Sequence, residues 1–128
     1  MELQPDDSPV SYKINQVGNH TVTIDNTEHK LPLLCTLTEV QPLPISSPQL
    51  LTPKHMATWC RELSPELILI GTGPTHLILP EEIIHTCYLG RIGCEVMSSP
   101  SACRTHSILM SEQRPFVLLL FGDDVSNT

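Results

Sequence analysis

The chain has 128 residues, 40% of them hydrophobic, which is enough for a domain with its own core and no need of disulfide or metal staples. Seven Lys and Arg stand against fourteen Asp and Glu, a formal net charge of −7, and only 16% of residues are charged. Phosphate recognition needs clustered cations, so nucleic acid and anionic membrane are excluded from the expected partners.

Residues 1–9 are acidic and proline-punctuated, and are expected to be a flexible N-terminus. From Val10 the pattern turns to period two, predicting strands over residues 10–17 and 21–24 with a hairpin turn at Gly18-Asn19. A second turn is expected over Asp25-Asn26-Thr27-Glu28. The apolar residues 31–37 follow, and Pro32 makes them an edge or bulged strand. Three prolines in the seven residues 42–48 read as a rigid, extended connector, dividing an antiparallel N-terminal part from an alternating C-terminal part.

The second part opens with a helix start. Thr52 is a good N-cap, Pro53 suits the first helical position, Leu51 can pack on Met56, and Pro65 ends the helix. Leu67-Ile68-Leu69-Ile70 has the composition of a buried strand, breaking at Gly71-Thr72-Gly73-Pro74. A short strand over residues 75–79 is expected next. A helix then starts at Pro80-Glu81-Glu82, with Ile83, Ile84, Cys87 and Tyr88 on its apolar face and Gly90 as its stop. Residues 92–97 predict a strand, and Ser99 caps a helix over residues 100–112. Residues 116–121 predict a last buried strand, and 122–128 form an acidic tail. This βαβαβ order implies a largely parallel core. The fold expected is α/β, a single globular domain over residues 10–121 with an N-terminal β-rich part packed on that mixed core.

Ile70-Gly71-Thr72-Gly73 sits where α/β folds bind phosphates. A dinucleotide site needs a third glycine and an immediate helix, but position 76 is His76 and no helix starts before Pro80, so the glycines read as a tight turn. Cys103 falls near a helix start with Arg104 beside it, a setting that can stabilise thiolate or hold a small anion. The plainer reading has Cys103 buried and inert and Arg104 paired with a carboxylate such as Glu95. The six histidines show no zinc spacing, no G-x-S-x-G occurs, and neither a metal nor a cofactor is expected.

The five cysteines are odd in number, widely spaced and without a C-x-x-C, which suits a reducing compartment. Met1-Glu2-Leu3-Gln4-Pro5-Asp6-Asp7 lacks the features of a secretory signal. The longest apolar run has six residues, where a membrane span needs about 20. The expectation is a cytoplasmic protein, not an integral membrane one.

A series of segments occurs in an order that resembles a known family. They are Pro65-Glu66-Leu67-Ile68-Leu69-Ile70-Gly71-Thr72-Gly73, Leu79-Pro80-Glu81-Glu82, Gly93-Cys94-Glu95-Val96-Met97, Ala102-Cys103-Arg104-Thr105 and Ile108-Leu109-Met110-Ser111-Glu112. Leu51-Thr52-Pro53 matches upstream. The family is a widespread small domain of unknown function named after a methanogen protein, and it includes the mitochondrial respiratory complex I assembly factor three. The chain departs from the family pattern at His106-Ser107 (usually Tyr-Asn), Ser98-Ser99 (usually Asp-Thr) and Gln113 (usually Gly). The connector also lacks the usual tryptophan. The resemblance implies N-terminal strands beside a βαβαβ core, no known reaction, and for the mitochondrial member a binding role.

The sequence therefore predicts a bacterial, non-enzymatic interaction or assembly-factor-like protein with a protein partner, such as a membrane-complex assembly intermediate. Its expected binding surface is Gly71, Thr72 and Gly73 with Cys103, Arg104 and Thr105, held open by the glycines. The alternative is a redox or small-anion-binding protein acting at the Cys103-Arg104 helix start.

Overall fold

A computed structural model describes residues 11–123. The expected flexible stretch 1–9 lies outside these residues, as does most of the acidic tail. The fold is α/β, with eight strands and three α-helices among the described residues. Strands β1 (Ile14–Val17), β2 (Thr21–Ile24) and β3 (Thr27–Lys30) form a small antiparallel sheet in the order β1-β2-β3. The other five strands are β4 (Leu33–Thr36), β5 (Val40–Pro42), β6 (Leu67–Gly71), β7 (Gly93–Met97) and β8 (Phe116–Leu120). They make a mixed sheet ordered β5-β4-β8-β6-β7. The helices are α1 (Pro53–Leu63), α2 (Glu81–Leu89) and α3 (Ser99–Glu112).

The hairpin at Gly18-Asn19 forms as expected, closed by Gly18 N donating to the Thr21 carbonyl at 2.8 Å. The second turn is tighter than expected. Asp25 and Asn26 both take positive φ, 49° and 67°, so the turn needs only those two residues. Thr27 and Glu28 instead begin β3, a polar strand at the edge of its sheet, where no apolar alternation announces it.

Three further expectations are corrected. Leu33, Leu34 and Cys35 belong to an interior strand, paired with β5 on one side and antiparallel to β8 on the other. Pro32 lies just before the strand, where its missing N–H costs the ladder nothing, and its carbonyl accepts from Leu43 N at 3.1 Å. The proline-rich connector begins as β5, which fills the sheet edge where Pro42 is tolerated. The N-terminal and C-terminal parts are thus interleaved in one sheet. Residues 75–79 carry no strand.

Period two along β6 and β8 sorts side chains to the two faces. Ile68, Ile70, Val117 and Leu119 pack with Met56, Ile83 and Cys87 beneath α1 and α2. Leu69, Phe116, Leu118 and Leu120 pack with Val22, Ile24, Ala102 and Leu109 beneath α3 and the small sheet. The connections β6-α2-β7 and β7-α3-β8 run in opposite directions along the sheet, so their helices cover opposite faces. Helix α1 starts as expected at Thr52 and Pro53, with Leu51 and Met56 buried in one cluster. His55 completes a capping box unseen in the sequence, accepting from Thr52 N at 3.0 Å through Nδ1.

Candidate functional site

The carboxyl ends of β6 and β7 lie side by side while their following helices diverge to opposite faces, the place where open α/β sheets bind ligands. Here that crevice is filled from within. Ser98, not Ser99, caps α3, its hydroxyl accepting from Ser101 N. Pro100 therefore stands at the second helical position, and Ser99 at the first turns inward to 2% exposure. The Ser99 hydroxyl accepts from Gly73 N at 2.9 Å and donates to the Phe121 carbonyl at 2.6 Å. Ser99 N donates to the Gly73 carbonyl at 2.7 Å.

Both glycines serve this closure. A Cβ on Gly71 would stand 2.9 Å from Ser99 Oγ and 3.0 Å from Ala102 Cβ, so α3 can approach β6 only because none is there. Gly73 has φ +107°, and a Cβ would lie 2.7 Å from the Gly122 carbonyl oxygen. Thr72, also buried, donates its hydroxyl to the Thr75 carbonyl at 2.7 Å and accepts from Leu77 N at 3.0 Å. Gly122 and Asp123 complete the plug, Asp123 N donating to the Asn19 carbonyl at 2.5 Å. This start of the expected tail is therefore docked on the β1–β2 turn.

The two expected site segments converge, through Ser99, but the glycines close the crevice where they were expected to hold a surface open. Gly71, Thr72 and Gly73 are buried, Cys103 and Thr105 are half-buried, and only Arg104 is exposed. Arg104 donates to Ser101 Oγ at 3.0 Å, and among the described residues it forms no ion pair, with Glu95 or any other carboxylate. Burial pushes the Cys103 thiol up to about 12, outweighing the opposing pull of Arg104. The first turn of α3 spends its donors on Gly73 and Ser98 and carries a proline, so no amide there faces outward for an anion.

Behind α3 lies a buried polar contact that the sequence did not announce. His106 is 1% exposed, and its Nε2 lies 3.1 Å from the Tyr12 hydroxyl, which donates to the Thr36 carbonyl at 2.7 Å. Phe116 meets the His106 ring edge-on, with centroids 5.2 Å apart. Burial lowers the His106 pKa to about 4, keeping the ring neutral. Among the described residues no group of three His, Cys, Asp or Glu is placed to hold a metal ion.

The more open surface is on α2. Ile83 and Cys87 face the core as expected, whereas Ile84 is 41%, Tyr88 74% and Leu89 70% exposed. One depression, lined by Glu81, Glu82, Ile84, His85 and Tyr88, adjoins another lined by Tyr88, Leu89, Arg91, Ile92 and Gly93. Tyr88 forms the ridge between them and stacks on His85. Ile78, 92% exposed, precedes the helix. The expected apolar face also included Ile84 and Tyr88, which share helical spacing with Ile83 and Cys87 but lie open to solvent.

The fold, a mixed sheet with a small hairpin sheet beside it, is similar to that of a Mth938-like domain. A Bordetella pertussis protein so described superposes with a TM-score of 0.72 at 21% identity, covering 99% of this chain and 97% of that one. A Xanthomonas campestris protein gives 0.81 at 23% identity, with 95% of each chain covered. The chain belongs to the DUF498/DUF598 family of proteins of unknown function, whose model matches residues 14–121. It is 31% identical over 107 residues to a "13 kDa major membrane protein" of Francisella tularensis subsp. holarctica (strain LVS), over 84% of this chain and 86% of that one. It is also similar to an outer membrane protein of Bartonella henselae, with 28% identity and a TM-score of 0.75 over 90% and 98% of the two chains. Among the described residues of this chain no helix is long and apolar enough to cross a membrane.

Proposed function

We propose that this domain is a non-enzymatic protein-interaction module that docks its partner on the exposed face of α2. The observation that carries the reading is the pair of depressions flanking the 74%-exposed Tyr88. Large amphipathic aromatics held by a helix are efficient anchors, because little side-chain entropy is lost when they are covered. Glu81 and Glu82 at one end, on a chain of net charge −7, favour a partner segment that places Lys or Arg opposite them and apolar side chains over Tyr88 and Leu89. The plugged crevice supplies no competing small-molecule site. The Francisella and Bartonella relatives bear the names of membrane proteins, which favours a partner at a membrane; action on it as an assembly factor from the cytoplasmic side is part of this proposal.

The test is capture of partners by tagged full-length protein from host lysate with membranes retained, using wild type, the Tyr88→Ser/Leu89→Ser double variant and Arg104→Ala. Wild type and Arg104→Ala should retain the same membrane-complex subunits, and the double variant should lose at least about 30-fold in affinity for them. Loss with Arg104→Ala alone would move the surface to the start of α3. Equal binding by all three would end the α2 reading.

A further inference from the structure

Three of the five cysteines meet in one place. Cys60 on α1, Cys87 on α2 and Cys94 on β7 pack against the same core, where the two helices rest on the edge of the sheet. Cys87 belongs to that core, and Cys94 and Cys60 pack against it. The chain path enforces this. Helix α2 stops at Gly90, Arg91 takes φ 63°, and Ile92 N returns to the Cys87 carbonyl at 2.9 Å, so the chain doubles back and β7 carries Cys94 alongside Cys87. On the other side Cys60 Cβ is 3.9 Å from where a Cβ on Gly90 would stand.

The three thiols differ in access and in acidity. Cys87 is buried, while Cys94 and Cys60 are half-buried. The neighbouring Cys87 thiol draws the Cys94 thiol below the ordinary range, against burial and the nearby Cys60 and Glu95. Interaction with Cys94, together with burial, pushes the Cys87 thiol up. Burial raises Cys60 to about 11, and Cys35 and Cys103, on the opposite face of the sheet, to about 12. A half-buried thiol beside a buried second thiol is the arrangement in which oxidation stops at a disulfide and does not run on to higher acids.

We propose that Cys94 and Cys87 form a hydroperoxide-responsive pair, with Cys94 as the attacking thiol and Cys87 as the resolving one. The Cys94 thiolate attacks one peroxide oxygen and the O–O bond breaks. The departing oxygen takes up the proton Cys94 released and leaves as water or alcohol, and Cys94 becomes a sulfenic acid. The Cys87 sulfur then attacks the Cys94 sulfur. The S–S bond forms, the S–O bond breaks, and the hydroxyl leaves as water with the Cys87 proton. Two thiols supply the two electrons that reduce one hydroperoxide. Cys60, packed against the same cluster, remains a thiol.

The experiment treats the reduced full chain with one equivalent of hydrogen peroxide, blocks free thiols and maps disulfides by mass spectrometry without reduction. The expected product is a Cys87–Cys94 link with Cys35 and Cys103 still free. Cys87→Ser should accumulate a dimedone-trappable sulfenic acid at Cys94, formed at least about tenfold faster than any adduct at Cys103. A first link between Cys60 and Cys87, or oxidation of Cys94 no faster than that of Cys103, overturns the assignment. Both outcomes are readable in the wild-type chain, so the test does not depend on a variant that folds.

Discussion

Ser99→Ala removes one oxygen and strips two buried backbone groups of their partner, the Gly73 amide at 2.9 Å and the Phe121 carbonyl at 2.6 Å. Each such group left unsatisfied costs about 1–3 kcal/mol, and a methyl in the same space offers neither a replacement. The expected loss is about 3 kcal/mol, a large share of the total stability of a domain this size. With a denaturant slope of about 1.5 kcal/mol/M, the urea midpoint falls by about 2 M. The single tryptophan, Trp59, half-buried on α1, reports the transition by fluorescence, with far-UV circular dichroism as a second probe. Ser98→Ala is the paired variant. It removes the cap, whose hydroxyl accepts from Ser101 N at a long 3.4 Å, and that hydroxyl's donation to Ser101 Oγ at 3.1 Å on the half-buried helix start, and should cost about 1 kcal/mol. If Ser98→Ala proves the more damaging of the two, Ser99 does not bridge β6 to β8 and the account of the filled crevice fails.

Two other perturbations test the same region. His106 has a folded pKa of about 4 against 6.5 in the unfolded chain, so the unfolded state binds the extra proton. Stability should therefore be intact above pH 6.5, fall by about 3 kcal/mol as pH drops from 6.5 to 4, and level off for this group below that. Urea titrations at pH 7, 5.5 and 4 should show that part of the slope vanishing in His106→Gln, and an unchanged slope would refute it. Gly73→Ala forces a Cβ to φ +107° against the Gly122 carbonyl and should cost at least about 2 kcal/mol in the same assay. A neutral effect there would mean that the Gly122 segment does not lie over the turn.

What the sequence disclosed depended on how local the physics was. Thr52 with Pro53, and Pro65, fix the ends of α1 within a few residues, and short apolar runs fix β6 and β8. The family resemblance is borne out, and so is the α/β class. The position of β4 was not legible. Its place between β5 and β8 is set by pairing with residues more than 80 positions away, and Pro32 pointed to an edge. Polar β3 carried no alternating signal because its sheet leaves it half in water. At the site, Ser98 and Ser99 are chemically equivalent letters before Pro100, and only the tertiary contact of Ser99 with Gly73 and Phe121 shows which one caps. Periodicity could not show that the α2 residues Tyr88 and Leu89 lack cover, since nothing in the chain tells how far α1 reaches.

In the five-stranded sheet the element made last on the ribosome, β8, lies between β4 and β6, which are made earlier. Neither neighbour can satisfy its backbone on that side until residues 116–120 arrive, so the nascent chain carries the open edge of β4 from residue 36 onward and that of β6 from residue 71. A chain interrupted before Phe116 would not be a trimmed domain lacking one strand. It would be two separated half-sheets with open edges, prone to pair with other chains. Quality control in the producing cell thus has a sharp criterion, because the domain closes only when its final strand has been delivered.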